Sequence, residues 1–163
     1  MAFQISVNGR SASWGHITVK ILPGQEVTGL TAATFSDQLE ESKESGTGLA
    51  HKPTRRSAGK YTVGDCSLTG FASDIQAVCD LVASLPQGRG RSFGASEFDV
   101  LISVAYMDFE PVRQVQLHKC RIMGVSESYQ EGPELLKTDL TISPMYISRN
   151  GLTLFDGPLI PGR

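Results

Sequence analysis

Neither sign of charge is in excess in this chain: 15 Lys and Arg stand against 17 Asp and Glu, for a net charge of -2 over 163 residues. Non-specific binding to a polyanion needs surplus cations to displace its counterions, so a dedicated DNA or RNA binder is disfavoured. Long hydrophobic runs are missing as well. The most apolar window, Val100 to Met107, is far shorter than the roughly 20 residues a helix needs to cross a bilayer. From Met1 to Gly9 there is no basic segment followed by an apolar stretch. No secretory signal is therefore expected, and the expectation is a soluble chain made in the cytosol, without membrane anchoring.

Cysteine is scarce: Cys66, Cys79 and Cys120 are widely spaced, odd in number, and distant in sequence from a histidine set that would complete a zinc pattern. Buried, reduced thiols are expected, with no metal and no cofactor. The chain has no G-x-S-x-G elbow, P-loop or H-E-x-x-H, and His16, His51 and His118 sit in unlike contexts. The Gly-rich loop Gln87 to Ser96 leaves a helix, whereas a dinucleotide loop enters one. No catalytic residue is assigned, and the expectation is a protein that is not an enzyme. Arg89 and Arg91 in that loop are candidates for an interface.

What the chain has is period-two alternation. With 17 Gly and 8 Pro and one domain's worth of length, residues 1–163 read as a single β domain. A strand from Phe3 to Val7 ends at Asn8-Gly9, a dipeptide suited to the positive φ of a tight turn. Ile17, Val19 and Ile21 alternate with Thr18 and Lys20, and the two strands are expected to form an N-terminal hairpin. Tyr61 and Val63 are followed, one phase later, by Cys66 and Leu68, the signature of a bulge. Ile75, Val78, Cys79, Val82 and Leu85 form one apolar helical stripe, with Ser73 as the expected N-cap and Pro86 as the stop.

Phe98, Val100, Ile102, Val104 and Tyr106 share a face, while Leu101 and Met107 make the opposite face partly apolar, so this strand is covered on both sides. Val115 and Leu117 are out of phase with Cys120 and Ile122, which predicts a bulge near His118-Lys119. Leu136, Thr138, Leu140 and Ile142 alternate with Lys137, Asp139 and Thr141, and Asn150-Gly151 marks a second hairpin. The sum is an antiparallel sandwich or barrel with one flanking helix. Residues 157–163 form an extended tail that no such fold requires.

Residues 24–60 break the pattern, with Phe35, Leu39 and Leu49 thinly spread among polar residues and one short helix conceivable from Thr31 to Lys43. Charge is segregated here: Asp37, Glu40, Glu41 and Glu44 precede Lys52, Arg55, Arg56 and Lys60. A stretch this long is a solvated loop or an arm that orders against another copy, its acidic and basic halves pairing between copies.

From Phe98 to Phe155 the order of features is more specific. F-D-V-L-I-S-V leads to L-H-K-C-R-I-M-G-V (Leu117 to Val125), then to Glu131-Gly132, a strand ending at Pro144, and I-S-R-N-G-L (Ile147 to Leu152). This resembles the tail tube proteins of bacteriophages, most like those of contractile tails and their relatives in bacteriocins and type VI secretion. The resemblance implies six copies closing their sheets into a ring, rings stacking into a virion tube, and DNA passing through the lumen without specific binding. It implies a tail sheath, tape-measure, baseplate and tail-terminator proteins as partners, and it makes the 24–60 segment an inter-subunit arm. The alternatives are a secreted or bacteriocin-type tube hexamer and, in a different class, a small monomeric β-barrel that binds a ligand.

Overall fold

The computed structural model describes residues 5–7, 10–12, 17–22, 24–44, 55–57, 59–104, 113–129 and 131–154. In chain order the first strands are β1 (Ile5–Val7), β2 (Arg10–Ala12), β3 (Ile17–Leu22), β4 (Gln25–Val27) and β5 (Leu30–Thr34). Then come β6 (Asp37–Glu40), β7 (Lys43–Glu44), β8 (Arg55–Arg56), β9 (Lys60–Val63) and β10 (Cys66–Phe71). Helix α1 (Ala72–Ala83) separates these from β11 (Phe98–Val104), β12 (Arg113–Glu127), β13 (Lys137–Ser143), β14 (Tyr146–Arg149) and β15 (Leu152–Thr153). The molecule is mainly β and antiparallel, with one helix among the described residues.

The main sheet runs β4-β3-β11-β12-β13-β10-β5, with β14 and β15 attached beside β12. Its two terminal strands, β4 and β5, are consecutive in the chain and joined through Thr28 and Gly29. A sheet whose opposite edges are a single link apart must be curled almost into a barrel. Helix α1 lies over that seam, leaving a cleft of only about 70 Å³ between Val27, Thr28, Asp74 and Val78.

Strand β12 is the spine of this arrangement. Its first half pairs β11 on one side and β14 on the other, and its second half pairs β13. The bulge expected near His118-Lys119 is present: Phe98 faces Cys120 while Val100 faces Leu117, and Lys119 has φ +50°. The Asp99 carboxylate accepts the freed Lys119 N–H at 2.8 Å. A second register shift lies between Ile122 and Gly124. The two irregularities bend the strand and let it serve both halves of the curled sheet. The hairpin at Asn150-Gly151 is also as read, with φ of +52° and +79° as a type I′ turn requires.

The core is one cluster in which Leu117, Leu140, Ile142 and Ile147 are fully buried, joined by the helix stripe Ile75, Val78, Cys79 and Val82. The three cysteines are free and buried, and burial pushes the Cys120 thiol up to about 12. At the helix C-terminus the chain turns sharply through Gly88, where an added Cβ would collide with the carbonyls of Ala83 and Ser92. Neither obstacle is a side chain that can swing away. Gly88→Ala is therefore expected to cost about 1–3 kcal/mol, read as a lower denaturant midpoint at unchanged slope.

Four local expectations are corrected. Strand β1 pairs β2, not the 17–21 strand, with Val7 directly opposite Arg10. Strand β3 pairs β4 and β11. No helix forms over 31–43: β5 covers the edge of β10, where β-branched Thr31 and Thr34 suit a pleated surface, and β6 and β7 follow. The phase slip after Val63 is a change of sheet and not a bulge, since β9 pairs β6 whereas β10 pairs β13 and β5. Ser73 lies inside the first turn of α1. The N-cap is Phe71, and the N–H groups of Phe71 and Ala72 donate to the carbonyls of Gly29 and Leu136.

Candidate assembly surface

Of residues 24–60, β4 and β5 belong to the barrel, and what stands apart from the main sheet is a ribbon that begins at Asp37. Strand β6 pairs only β9, and β7 pairs only β8, among the described residues. A two-stranded ribbon buries little and is marginal in water by itself. Its root is therefore informative. The Asp37 carboxylate, 3% exposed, accepts two hydrogen bonds from the Arg149 guanidinium, at 2.6 and 3.2 Å, and one from the Tyr61 hydroxyl at 3.0 Å. Tyr61 Oη in turn accepts the Ile147 N–H at 3.1 Å. The ribbon is thus clamped to the outer edge of β14 by a bidentate, charge-assisted pair.

Electrostatics follow from that geometry. The Arg149 hydrogen bonds hold the Asp37 carboxyl below its ordinary range, outweighing the opposing effect of burial. Burial pushes the Tyr61 phenol up, so it stays a neutral donor.

The sequence-predicted residues divide. Asp37 is held within its own chain and is not presented to a neighbour. Glu40 stands opposite Lys60 in the ribbon, with Gln38 donating to its carboxylate at 3.1 Å, and Glu44 stands opposite Arg55. The acidic and basic halves therefore lie antiparallel in one chain, which sequence segregation alone did not reveal. Lys43 is opposite Arg56 and reaches Glu41 at 3.1 Å. The register thus gathers Lys43, Arg55 and Arg56 at the outer end of the ribbon. Lys52 lies outside the described residues. Arg89 and Arg91 are exposed in the turn after α1, well separated in sequence from the ribbon, and Arg89 has φ +49°.

Sequence reasoning missed a second polar network, on the outer face of the sheet. His118 stacks on Tyr146 with ring centroids 4.2 Å apart; its Nε2 is 2.8 Å from Ser148 Oγ and its Nδ1 is 3.5 Å from Asp99 Oδ2. With Gln116 donating to Asp99 at 3.2 Å, the network ties β11, β12 and β14 together across the bulge. A grouping of three or more His, Cys, Asp or Glu able to hold a metal is absent among the described residues. No helix among the described residues is long and apolar enough to cross a membrane.

A curled antiparallel sheet with one flanking helix is also the fold of chains from contractile injection systems, and the likeness read from residues 98–155 holds at the level of the fold. A chain of the anti-feeding prophage baseplate, a six-fold symmetrised assembly, superposes with a TM-score of 0.59 at 13% identity, covering 90% of this chain and 98% of that one. Hcp1 from Flavobacterium johnsoniae gives 0.51 at 10% identity, covering 86% and 98%. A chain of the sheath–tube complex of the extracellular contractile injection system PVC gives 0.51 at 7%, covering 84% and 89%. No protein-family description matches the sequence, and no curated protein matches it.

Proposed function

We propose that this chain is the subunit of a tail tube: six copies close into a ring, and rings stack into the inner tube of a contractile tail, a conduit for the genome. The observation that carries the reading is agreement of fold over nearly the whole length of the baseplate chain, at 90% and 98% coverage in an assembly with six-fold symmetry. A near-neutral chain suits a conduit, because a strongly cationic wall would hold phosphates and slow a sliding polyanion. Sheath, tape-measure, baseplate and terminator proteins are the proposed partners, and the virion the proposed location. The likeness to Hcp1 favours one second reading, a secreted hexamer whose rings stack weakly.

In this reading the ribbon is the arm that reaches the next subunit. By register Lys43, Arg55 and Arg56 stand at its outer end, whereas Glu40 stands opposite Lys60. Lys52, Arg55, Arg56 and Lys60 of one copy meet acidic surface on its neighbour, with Arg89 and Arg91 as further contacts. Arg55→Glu/Arg56→Glu is therefore expected to leave the chain folded with an unchanged melting temperature and to block polymerisation into long tubes in light scattering. Normal assembly by that variant would remove the arm from the interface. An assembled wild type with a mass of six 17.6 kDa chains supports the ring, and a wild type that never exceeds one chain refutes it.

A further inference from the structure

Strand β12 has two edges with different fates. One is paired almost end to end, by β14 up to His118 and by β13 from Arg121, in one register through Ile122. On the other, β11 pairs it only from Arg113 to Cys120. Beyond Cys120 that second edge carries no strand among the described residues. The Arg121–Glu97 ion pair at 2.7 Å and the approach of Gly94 to the Ile122 carbonyl cover its beginning, so the free edge starts at Met123.

Beside the free edge lies a groove of about 340 Å³, lined by Ile75, Cys79, Phe93 and Val125, with Gln76 and Glu127 as its polar members. Phe93 is 39% and Val125 37% exposed, although both are large and apolar. An open strand edge next to an apolar groove is the arrangement that accepts an added strand: backbone groups supply hydrogen bonds and alternate side chains fill the groove.

The same chain carries a segment that fits. Strand β15 pairs only β14, and Leu152 and Leu154, two residues apart, are 74% and 50% exposed. They cannot serve their own groove. The Asn150 turn is fixed beside Gln114 by hydrogen bonds of 2.8 Å in both directions, whereas the groove adjoins Val125 and Glu127 at the far end of β12. At about 3.3 Å per residue, roughly 36 Å of strand runs from Gln114 to Val125. Charge matches the apolar fit. Exposed Arg113 stands one residue from Gln114, which holds the hairpin turn, and exposed Glu127 lines the groove.

We propose that β15 of one copy adds to the free edge of β12 in a second copy, with Leu152 and Leu154 in the groove and Arg113 against Glu127. The contact rests on the tube reading and supplies one of its subunit interfaces. The two surfaces differ and lie at opposite ends of β12, so the contact is head-to-tail. It does not terminate at two copies and continues until a ring closes or a filament grows.

Complementation tests this on the full chain. Leu152→Asp/Leu154→Asp removes the inserting side chains, and Val125→Asp charges the groove; Phe93→Asp is the alternative if Val125→Asp melts early. Each variant alone is expected to lose assembly, with the apparent dissociation constant raised at least about 100-fold, because an ionised carboxylate is set against apolar surface. Mixed in equal amounts, the two variants share one intact interface and should yield a species of two chains and no more. Variants that assemble like an assembling wild type, or a mixture that stays monomeric, overturn this contact and leave the tube reading standing. A wild type that is itself monomeric overturns both.

Discussion

Arg149→Ala lowers the melting temperature by roughly 5–15 °C at neutral pH, because it leaves a buried carboxylate with Tyr61 as its remaining side-chain donor. Asp37 is 3% exposed while Arg149 is 33% exposed, so water can rehydrate the vacated guanidinium site only in part. Breaking such a pair costs about 2–4 kcal/mol, below the full cost for a wholly buried one, and in a chain of this length each kcal/mol moves the transition by about 2–4 °C. The effect depends on pH with a definite sign. The folded-state pKa of Asp37 lies below the ordinary 3.8. The stability it contributes is complete above the unfolded pKa and is lost as pH falls through the folded one. The gap between wild type and Arg149→Ala should accordingly be full above about pH 5 and shrink below about pH 4. A gap independent of pH would mean that Arg149 acts through packing alone. Asp37→Asn should keep Tyr61 hydrogen-bonded and cost less than Arg149→Ala.

Leu117→Ala is expected to cost about 2–5 kcal/mol, as large-to-small changes in close-packed cores do. Leu117 is fully buried, faces Val100 on one neighbouring strand and Ile147 on the other, and lies directly before the bulge. Collapse around the cavity is resisted on both sides by the β-ladder, and this places the cost toward the upper end. Denaturant melts of the folded monomer measure it. A loss under 1 kcal/mol would show that the bulge relaxes to fill the space.

These two sites differ in how visible they are in the sequence. Leu117 sits in a period-two pattern whose break at His118-Lys119 announces the bulge, and the helix stripe from Ile75 to Val82 is equally plain. Such features depend on neighbours within a few residues. The Asp37–Arg149 clamp joins positions 112 residues apart, and nothing local marks either partner. The same holds for the closure of the barrel, where the edge strands β4 and β5 are known to be adjacent only once the order of the other five is known. The first third of the 24–60 segment is not legible locally, because its small, Thr-rich strand gains its stability from β10 and not from its own pattern. Its charge segregation was legible, but the register that sets Glu40 against Lys60 within one chain was not.

Among the described residues the chain has a ribbon outside the main sheet, an edge of β12 without a strand partner beyond Cys120, and exposed Leu152 and Leu154, all of which the proposed assembly would cover. The direct measurement is negative-stain electron microscopy of the purified wild-type chain at high concentration. The account predicts rings with a central channel that stack into cylinders of uniform width. A field of single compact particles, with light scattering at one chain's mass, would contradict it.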